Sequence, residues 1–165
     1  MSMVHTRGFV REPGQGEALW VLGGLYTFKA LAGETDGGCT VIEVRAPGGF
    51  AIPVHLHEEE GEGFFVAEGE VTFFLGNEEV RAPAGSFAYA PRNLEHAFRF
   101  ETADAKLIVF LAPCNGSHED LFRDIGEPAA RLEIPPPPEG PPDVERLAEI
   151  GARHGTRIVG PPPGA

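Results

Sequence analysis

The sequence contains little cysteine and no cysteine pair at a metal-binding or redox spacing. Its two cysteines, Cys39 and Cys114, are far apart and lie outside any C-x-x-C pattern. A disulfide framework is therefore not expected, and this cysteine usage fits a reducing compartment. The sequence also lacks a secretory-type leader pattern and any apolar run that approaches the length of a membrane span. We therefore expect a cytoplasmic protein that does not bind membranes.

Basic residues are also scarce. Thirteen Lys and Arg residues stand against 25 Asp and Glu residues, and the formal net charge is −12. No basic patch is visible that could neutralise phosphates, so the composition disfavours nucleic-acid binding. A small anionic or neutral substrate stays compatible, because a buried metal ion can reverse the local sign of the charge. At 165 residues with twelve Phe, the chain is long enough for one domain with a proper core.

Short apolar stretches separated by Gly and Pro dominate residues 18–112. They recur at intervals of roughly eight to twelve residues, which indicates an all-β sandwich or barrel. Within 18–31, the Gly23-Gly24 pair predicts either two short strands that meet at a bend or one strand with a Gly bulge. We predict further strands around the His55–His57 pair and at 39–45, 63–67, 70–75, 78–82, 86–90, 94–100 and 106–111.

The two ends of the chain differ in character from this central part. Residues 1–17 are polar and interrupted by Gly and Pro, and we interpret them as an N-terminal arm. Residues 113–165 predict an extension that packs on the outside of the barrel. It would contain a helix at 117–125 with Ser117 as N-cap, a polyproline strap around Pro135–Pro138 and a second helix at 142–154.

Two histidines and a glutamate form the first candidate site. His55 and His57 are two residues apart in a predicted strand, so their side chains share one face. Glu62 opens the next apolar run, and a hairpin between the two runs would return it to the histidine pair. Such a group suits a borderline divalent metal, and His96 is a candidate for a fourth ligand. The alternative is that these side chains merely decorate strand edges.

Other acidic and histidine residues have simpler interpretations. Glu58, Glu59 and Glu60 predict a solvated acidic turn, although a shift of one residue would make Glu60 the ligand in place of Glu62. The three histidines outside the candidate site are expected on the surface: His5, His118 and His154.

The chain resembles the cupin superfamily at these same residues. The first cupin motif is matched at every fixed position, by Gly49, His55, His57, Glu62 and Gly69. The second motif is matched by Gly85, Pro91 and His96. Asn93 stands where the family usually has Gly, and Phe100 where it usually has Asn. Asn is the non-glycine residue that best tolerates a left-handed backbone, so we expect it to support the same turn.

The resemblance implies an all-β cupin fold, a double-stranded β-helix or jelly-roll barrel over residues 18–112. It also implies one divalent transition metal per chain, held by His55, His57, Glu62 and His96. Fe, Mn, Ni, Co, Cu and Zn all suit this ligand set. Cupins also pair through their sheets, so a homodimer is expected, with residues before Ala18 as the exchanged segment.

Apolar and aromatic residues on the same strands predict a pocket beside the metal. Such a lining suits a flat organic substrate better than a sugar. The predicted pocket residues are Phe64, Val66, Phe73, Tyr89, Leu94, Phe98 and Phe110.

Three functions are compatible with these features. The ligand set and the extension look most like quercetin 2,3-dioxygenase-type proteins, which cleave a flavonol with O2. The chain would then be an enzyme acting on a flavonol or another enolisable aromatic substrate, with Glu62 as catalytic base. The second function is redox-neutral chemistry such as isomerisation, lyase chemistry or decarboxylation. The third is a non-catalytic cupin that binds a small molecule.

Overall fold

The computed structural model describes residues 7–164, so His5 and the start of the predicted arm lie outside the described residues. The elements follow one another along the chain as mostly short strands, with two α-helices near the end. They are β1 (Ala18–Val21), β2 (Gly24–Ala30), β3 (Thr40–Arg45), β4 (Val54–His57), β5 (Gly61–Glu68), β6 (Glu70–Leu75), β7 (Glu78–Pro83), β8 (Phe87–Ala90), β9 (His96–Phe100), β10 (Lys106–Ala112), α1 (Ser117–Ile125), β11 (Glu127–Pro128), α2 (Val144–Arg153) and β12 (Thr156–Gly160).

The strands form two facing antiparallel sheets. The larger sheet has the order β11-β1-β2-β3-β10-β5-β8, and the smaller one has the order β12-β4-β9-β6-β7. The predicted all-β class is therefore confirmed, as two sheets that do not close into a continuous barrel. The predicted bend between β1 and β2 lies at Leu22-Gly23, where both residues have positive φ.

The core lies between the sheets and is rich in phenylalanine. Side chains alternate between the two faces of each strand, so every second residue of β3 and β10 points inward and is buried. Phe64 packs on Phe73 with ring centroids 5.3 Å apart, and Phe98 packs on Phe100 at 5.8 Å. Burying a side chain of this size stabilises a fold by about 1.5–3 kcal/mol.

The turn before β9 has the backbone expected from the sequence. Asn93 has a φ of 64°, in the left-handed region, which confirms that Asn serves the turn in place of Gly. Its amide donates to the carbonyl of His57 at 2.8 Å. The turn is thereby fixed directly to strand β4, which carries two of the candidate ligands.

The C-terminal extension does more than pack on the outside of the sheets, which corrects the prediction. Its last strand, β12, pairs with β4 from Thr156 to Gly160 and extends the smaller sheet. This strand was missed because Thr156–Gly160 is short and follows directly on a helix. Ser117 is not the N-cap of α1 either: Gly116 holds that position, and the Asn115 side chain accepts from the Ser117 amide at 3.0 Å.

The segment between the two helices lies along β1. Trp20 Nε1 donates to the carbonyl of Glu133 at 2.9 Å, and Pro138 packs against Gly23. In the N-terminal segment, Arg11 donates to the carbonyl of Lys29 at 2.8 Å and pairs with Glu34. Exchange of the N-terminal segment between two chains stays a prediction. Between residues 7 and 164 no helix has the length and apolar character needed to span a membrane.

Candidate metal centre

Four buried side chains converge between the two sheets. His55 and His57 lie on β4, His96 lies on the adjacent strand β9 opposite His55, and Glu62 reaches across from β5 in the facing sheet. One donor atom of each lies within 4.8 Å of the others. The predicted hairpin was wrong, because residues 58–60 cross from one sheet to the other. Glu62 therefore meets the histidines across the interior of the sandwich.

Glu62 is held at the centre of this group. Its Oε2 lies 2.8 Å from His57 Nε2 and 2.8 Å from His96 Nε2. His55 Nε2 lies 3.8 Å from the same oxygen. All three Nε2 atoms therefore point at one carboxylate oxygen.

The second nitrogen of each ring fixes this orientation. His55 Nδ1 donates to the Pro53 carbonyl at 2.9 Å, and His96 Nδ1 donates to the Leu94 carbonyl at 2.8 Å. His57 Nδ1 lies 3.1 Å from the Thr156 hydroxyl on β12. A hydroxyl can donate or accept, so Thr156 serves either tautomer of His57. Such outer partners are what orient histidine ligands in metal sites.

Burial and mutual contact shift the pKa values of the group. Burial acts to raise the pKa of Glu62, but the adjacent His57, His55 and His96 outweigh it and hold this pKa well below its usual range. Burial lowers the pKa of His55 to about 4 and also lowers that of His57. The residues are therefore an anionic carboxylate and two neutral imidazoles, the forms that bind metals.

His96 differs from the other two histidines, because its pKa is raised. Burial acts to lower its pKa, but the hydrogen bond to Glu62 and the Glu62 charge outweigh burial and raise it. Its Nδ1 already donates to a carbonyl, so Nε2 must also carry a proton to bond to the carboxylate. A metal ion bound by Glu62 and His96 would take the place of this Nε2 proton, because a histidine binds a metal in its neutral form. Three nitrogens and one carboxylate suit a borderline metal.

Two residues that we expected on the surface lie beside this centre. His118 on α1 and Glu60 before β5 are both buried, and His118 Nδ1 lies 3.0 Å from Glu60 Oε1. The His118 ring packs against His57, with centroids 4.4 Å apart. Burial lowers the pKa of His118 to about 4 and raises that of Glu60. No spacing pattern marks this pair in the sequence, because the two residues meet only when the extension folds back. His154 is partly buried and bonds to Asp124 at 2.7 Å.

An apolar cavity opens from the metal centre and has a volume of about 60 Å³. His55, His57 and Glu62 form one side of it. The extension contributes much of the opposite side, and Tyr26 and the inner residues of the sheets complete the lining. No Lys or Arg side chain is among the lining residues described. The residues from the extension are His118, Leu121, Phe122, Ile125, Leu147, Thr156 and Ile158.

Most of the predicted pocket residues lie elsewhere. Of the seven, Phe98 lines this cavity. Phe64, Val66 and Phe73 are buried in the core, and Leu94 is half-buried at its edge.

Tyr89 and Phe110 were assigned to the wrong face of their strands. They are 55% and 37% exposed. Ala88 and Ala90 point inward on β8, and Val109 and Leu111 do so on β10, so the residues between them point outward.

The chain is similar in sequence to known proteins. Residues 41–111 match the family model described as the cupin domain. Over 120 residues the chain is 32% identical to quercetin 2,3-dioxygenase of Bacillus subtilis strain 168. This alignment covers 73% of this chain and 35% of that enzyme, so the chain spans about a third of the relative's length.

Solved structures share the fold at low sequence identity. KdgF from Halomonas sp. superposes with a TM-score of 0.61 at 18% identity, covering 68% of this chain and 99% of that one. An RmlC-like cupin from Shewanella frigidimarina superposes with a TM-score of 0.59 at 17% identity, covering 68% of this chain and 96% of that one. Pac13, described as a nucleoside dehydratase, superposes with a TM-score of 0.56 at 16% identity, covering 78% of this chain and 96% of that one. These likenesses show the fold alone.

Proposed function

Residues 41–111 form a cupin domain in a chain that has the cupin fold, and on this premise we propose a metal-dependent dioxygenase of the quercetinase type. Its substrate would be a flavonol or another enolisable aromatic molecule, with O2 as co-substrate. The observation that carries this proposal is the cluster of His55, His57, Glu62 and His96 beside an apolar cavity. The relative of 32% identity supports the same class.

Glu62 is the residue we assign to proton transfer. Its Oε2 receives the hydrogen bonds from His57 and His96, whereas Oε1 has no hydrogen-bond partner among residues 7–164. Glu62 also lines the cavity, so Oε1 can accept the proton of a substrate hydroxyl. The metal, when bound, supplies Lewis acidity and open coordination positions for oxygen ligands. The histidines hold Glu62 ionised until the substrate arrives.

The lining of the cavity favours a neutral, aromatic substrate. No Lys or Arg side chain described there could pair with a carboxylate, and the walls are mainly aliphatic and aromatic. Small-molecule sites usually enclose about 300–1,000 Å³, whereas this cavity measures about 60 Å³. A flavonol therefore requires an outward movement of the cover formed by α1 and α2. This cover excludes water from the site once it closes.

The small volume also favours a second candidate function. A redox-neutral isomerase, lyase or decarboxylase with a smaller substrate would need less movement of α1 and α2. The same residues would hold the metal, and Glu62 would again move a proton. A cupin that binds its ligand without chemistry is the non-catalytic version of this alternative.

Oxygen consumption tests the proposal directly. The protein is reconstituted separately with Fe, Mn, Co, Ni, Cu and Zn, and oxygen uptake is followed on a panel of flavonols. We expect uptake with at least one metal and its loss in Glu62→Gln, which removes the proton acceptor with little change in shape. Metal binding without uptake on any flavonol would contradict the dioxygenase and favour redox-neutral chemistry.

A further inference from the structure

Two polar side chains in the cavity have atoms that their neighbours leave unsatisfied. Tyr26 and His118 both line the cavity and are each 3% exposed. Among residues 7–164 the Tyr26 hydroxyl has no hydrogen-bond partner, and His118 bonds through Nδ1 alone. Among residues 7–164 every fully buried polar atom of a side chain has a hydrogen-bond partner, so these two atoms without one are accessible from the cavity. These two groups therefore point to a ligand.

His118 is held firmly in its place. The adjacent Glu119 fixes the start of α1 to the larger sheet, since its Oε1 accepts from the Ala32 amide and from the Thr40 hydroxyl, both at 2.6 Å. In addition, His118 Nδ1 forms a hydrogen bond with Glu60 Oε1 at 3.0 Å. With that nitrogen occupied, Nε2 is the polar atom that His118 offers to the cavity.

Tyr26 approaches the cavity from the other side, on β2. Its ring packs on Phe122 of α1 with centroids 5.0 Å apart, and Phe122 also packs on His118 at 4.9 Å. One aromatic side chain therefore supports both polar groups. The rest of the lining outside the metal centre is apolar except for Thr156, whose hydroxyl bonds to His57.

A second metal site is a simpler explanation for His118, and the geometry disfavours it. Such a site would use His57 Nδ1, Glu60 and His118. However, His57 Nδ1 lies 3.1 Å from the Thr156 hydroxyl and 3.9 Å from Glu60 Oε1. The nitrogen is thus occupied by Thr156, and the two remaining residues are too few to hold a metal.

We propose that Tyr26 and His118 bind the hydroxyl groups of an aromatic ligand and so select hydroxylated rings over bare ones. A hydroxyl both donates and accepts, so it can bond to the Tyr26 hydroxyl and to either tautomer of His118. Phe122 and the aliphatic walls contact the ring itself. This inference rests on the proposed function and specifies how its substrate class is recognised. Both residues act as positioning groups.

Ligand binding without oxygen tests this assignment. Quercetin and flavone, which lacks hydroxyl groups, are titrated by absorbance into the wild type, Tyr26→Phe and His118→Asn. Asn keeps an amide that can donate to Glu60 but removes the Nε2 atom. His154→Asn is the matched control, because His154 also bonds to a carboxylate yet does not line the cavity. Metal content is measured for each protein.

We expect each cavity variant to bind quercetin about fivefold to tenfold more weakly. Flavone binding by these variants should change by less than about twofold. For His154→Asn, the binding of both ligands and the metal content should change by less than about twofold. If the wild type prefers quercetin and both variants keep that preference, this inference is overturned and the proposed function stands. If the wild type binds neither quercetin nor flavone, both this inference and the proposed function are contradicted.

Discussion

The candidate metal ligands and the residues that cover the cavity come from different regions of the chain. His55, His57, Glu62 and His96 lie within the cupin domain at residues 41–111. The residues that cover them lie at 118–158, beyond the part that matches the family. The cupin domain therefore holds the candidate metal ligands, and the C-terminal extension lines much of the cavity beside them.

The two regions are also held by different interactions. The cupin domain rests on long strand pairings, such as β10 with β3 and β5, around a buried apolar core. The extension is attached at separate points, through β12 on β4, Glu119 on Thr40 and Arg123 on Glu17. A change in the core should therefore affect the whole fold, whereas a change in the extension should affect the cavity or a single attachment.

A matched pair of leucines gives the largest expected contrast. Leu107 is fully buried in the core, and Leu121 lies on α1 at the wall of the cavity. Leu107→Ala should lower the free energy of unfolding by about 3–5 kcal/mol, because it leaves a void in a packed core. Leu121→Ala should lower it by about 2–3 kcal/mol, since one side of Leu121 already faces open space. Urea denaturation measures both losses. Equal losses would contradict the difference we draw between the packed core and the extension.

The contact between Thr156 and His57 joins the two regions at the metal centre. Thr156→Val removes the hydroxyl that lies against His57 Nδ1. We expect a tenfold to hundredfold loss of metal affinity, the usual range for losing such an outer partner. Competition with a chelator measures it.

Thr72→Val is the control for this change. Thr72 is equally buried on β6, but its hydroxyl donates to Glu101 at 2.6 Å, away from the metal centre. This variant should keep its metal affinity. A similar loss in both variants would mean that general destabilisation, and not the orientation of His57, weakens metal binding.

The N-cap of α2 gives the smallest expected effect. The Asp143 side chain accepts from the Arg146 amide at 3.0 Å, and Asp143→Ala removes this bond. We expect a loss of about 1 kcal/mol in unfolding free energy and no change in metal content. Glu139→Ala, at an exposed position in the Pro-rich segment, should change neither value. Loss of metal in Asp143→Ala would show that α2 supports the centre more closely than its contacts indicate.

The sequence predicted the parts of this molecule that depend on local patterns. Gly and Pro mark the ends of the strands, and the spacing of His55, His57, Glu62 and His96 identified a group that the structure brings together. Asn93 adopts the expected left-handed turn. The fold is the cupin fold that the motifs implied.

The features that were missed depend on contacts between distant segments. His118 and Glu60 are 58 residues apart and meet only after α1 folds over the cavity. Strand β12 forms because β4 offers it a free edge, which a sequence of five residues does not reveal. Tyr89 and Phe110 are large aromatic residues that nevertheless point outward, because strand parity places them on the outer face.

Elemental analysis of purified protein tests whether His55, His57, Glu62 and His96 bind a metal ion. Wild type, His57→Ala and the control His154→Ala are reconstituted with divalent metal, freed of excess ion and analysed for metal per chain, with circular dichroism to verify folding. We expect about one metal ion per chain in the wild type and in His154→Ala, and almost none in folded His57→Ala. A wild type that holds no metal after reconstitution, or a His57→Ala protein that keeps its metal, would show that these four residues are not a metal site.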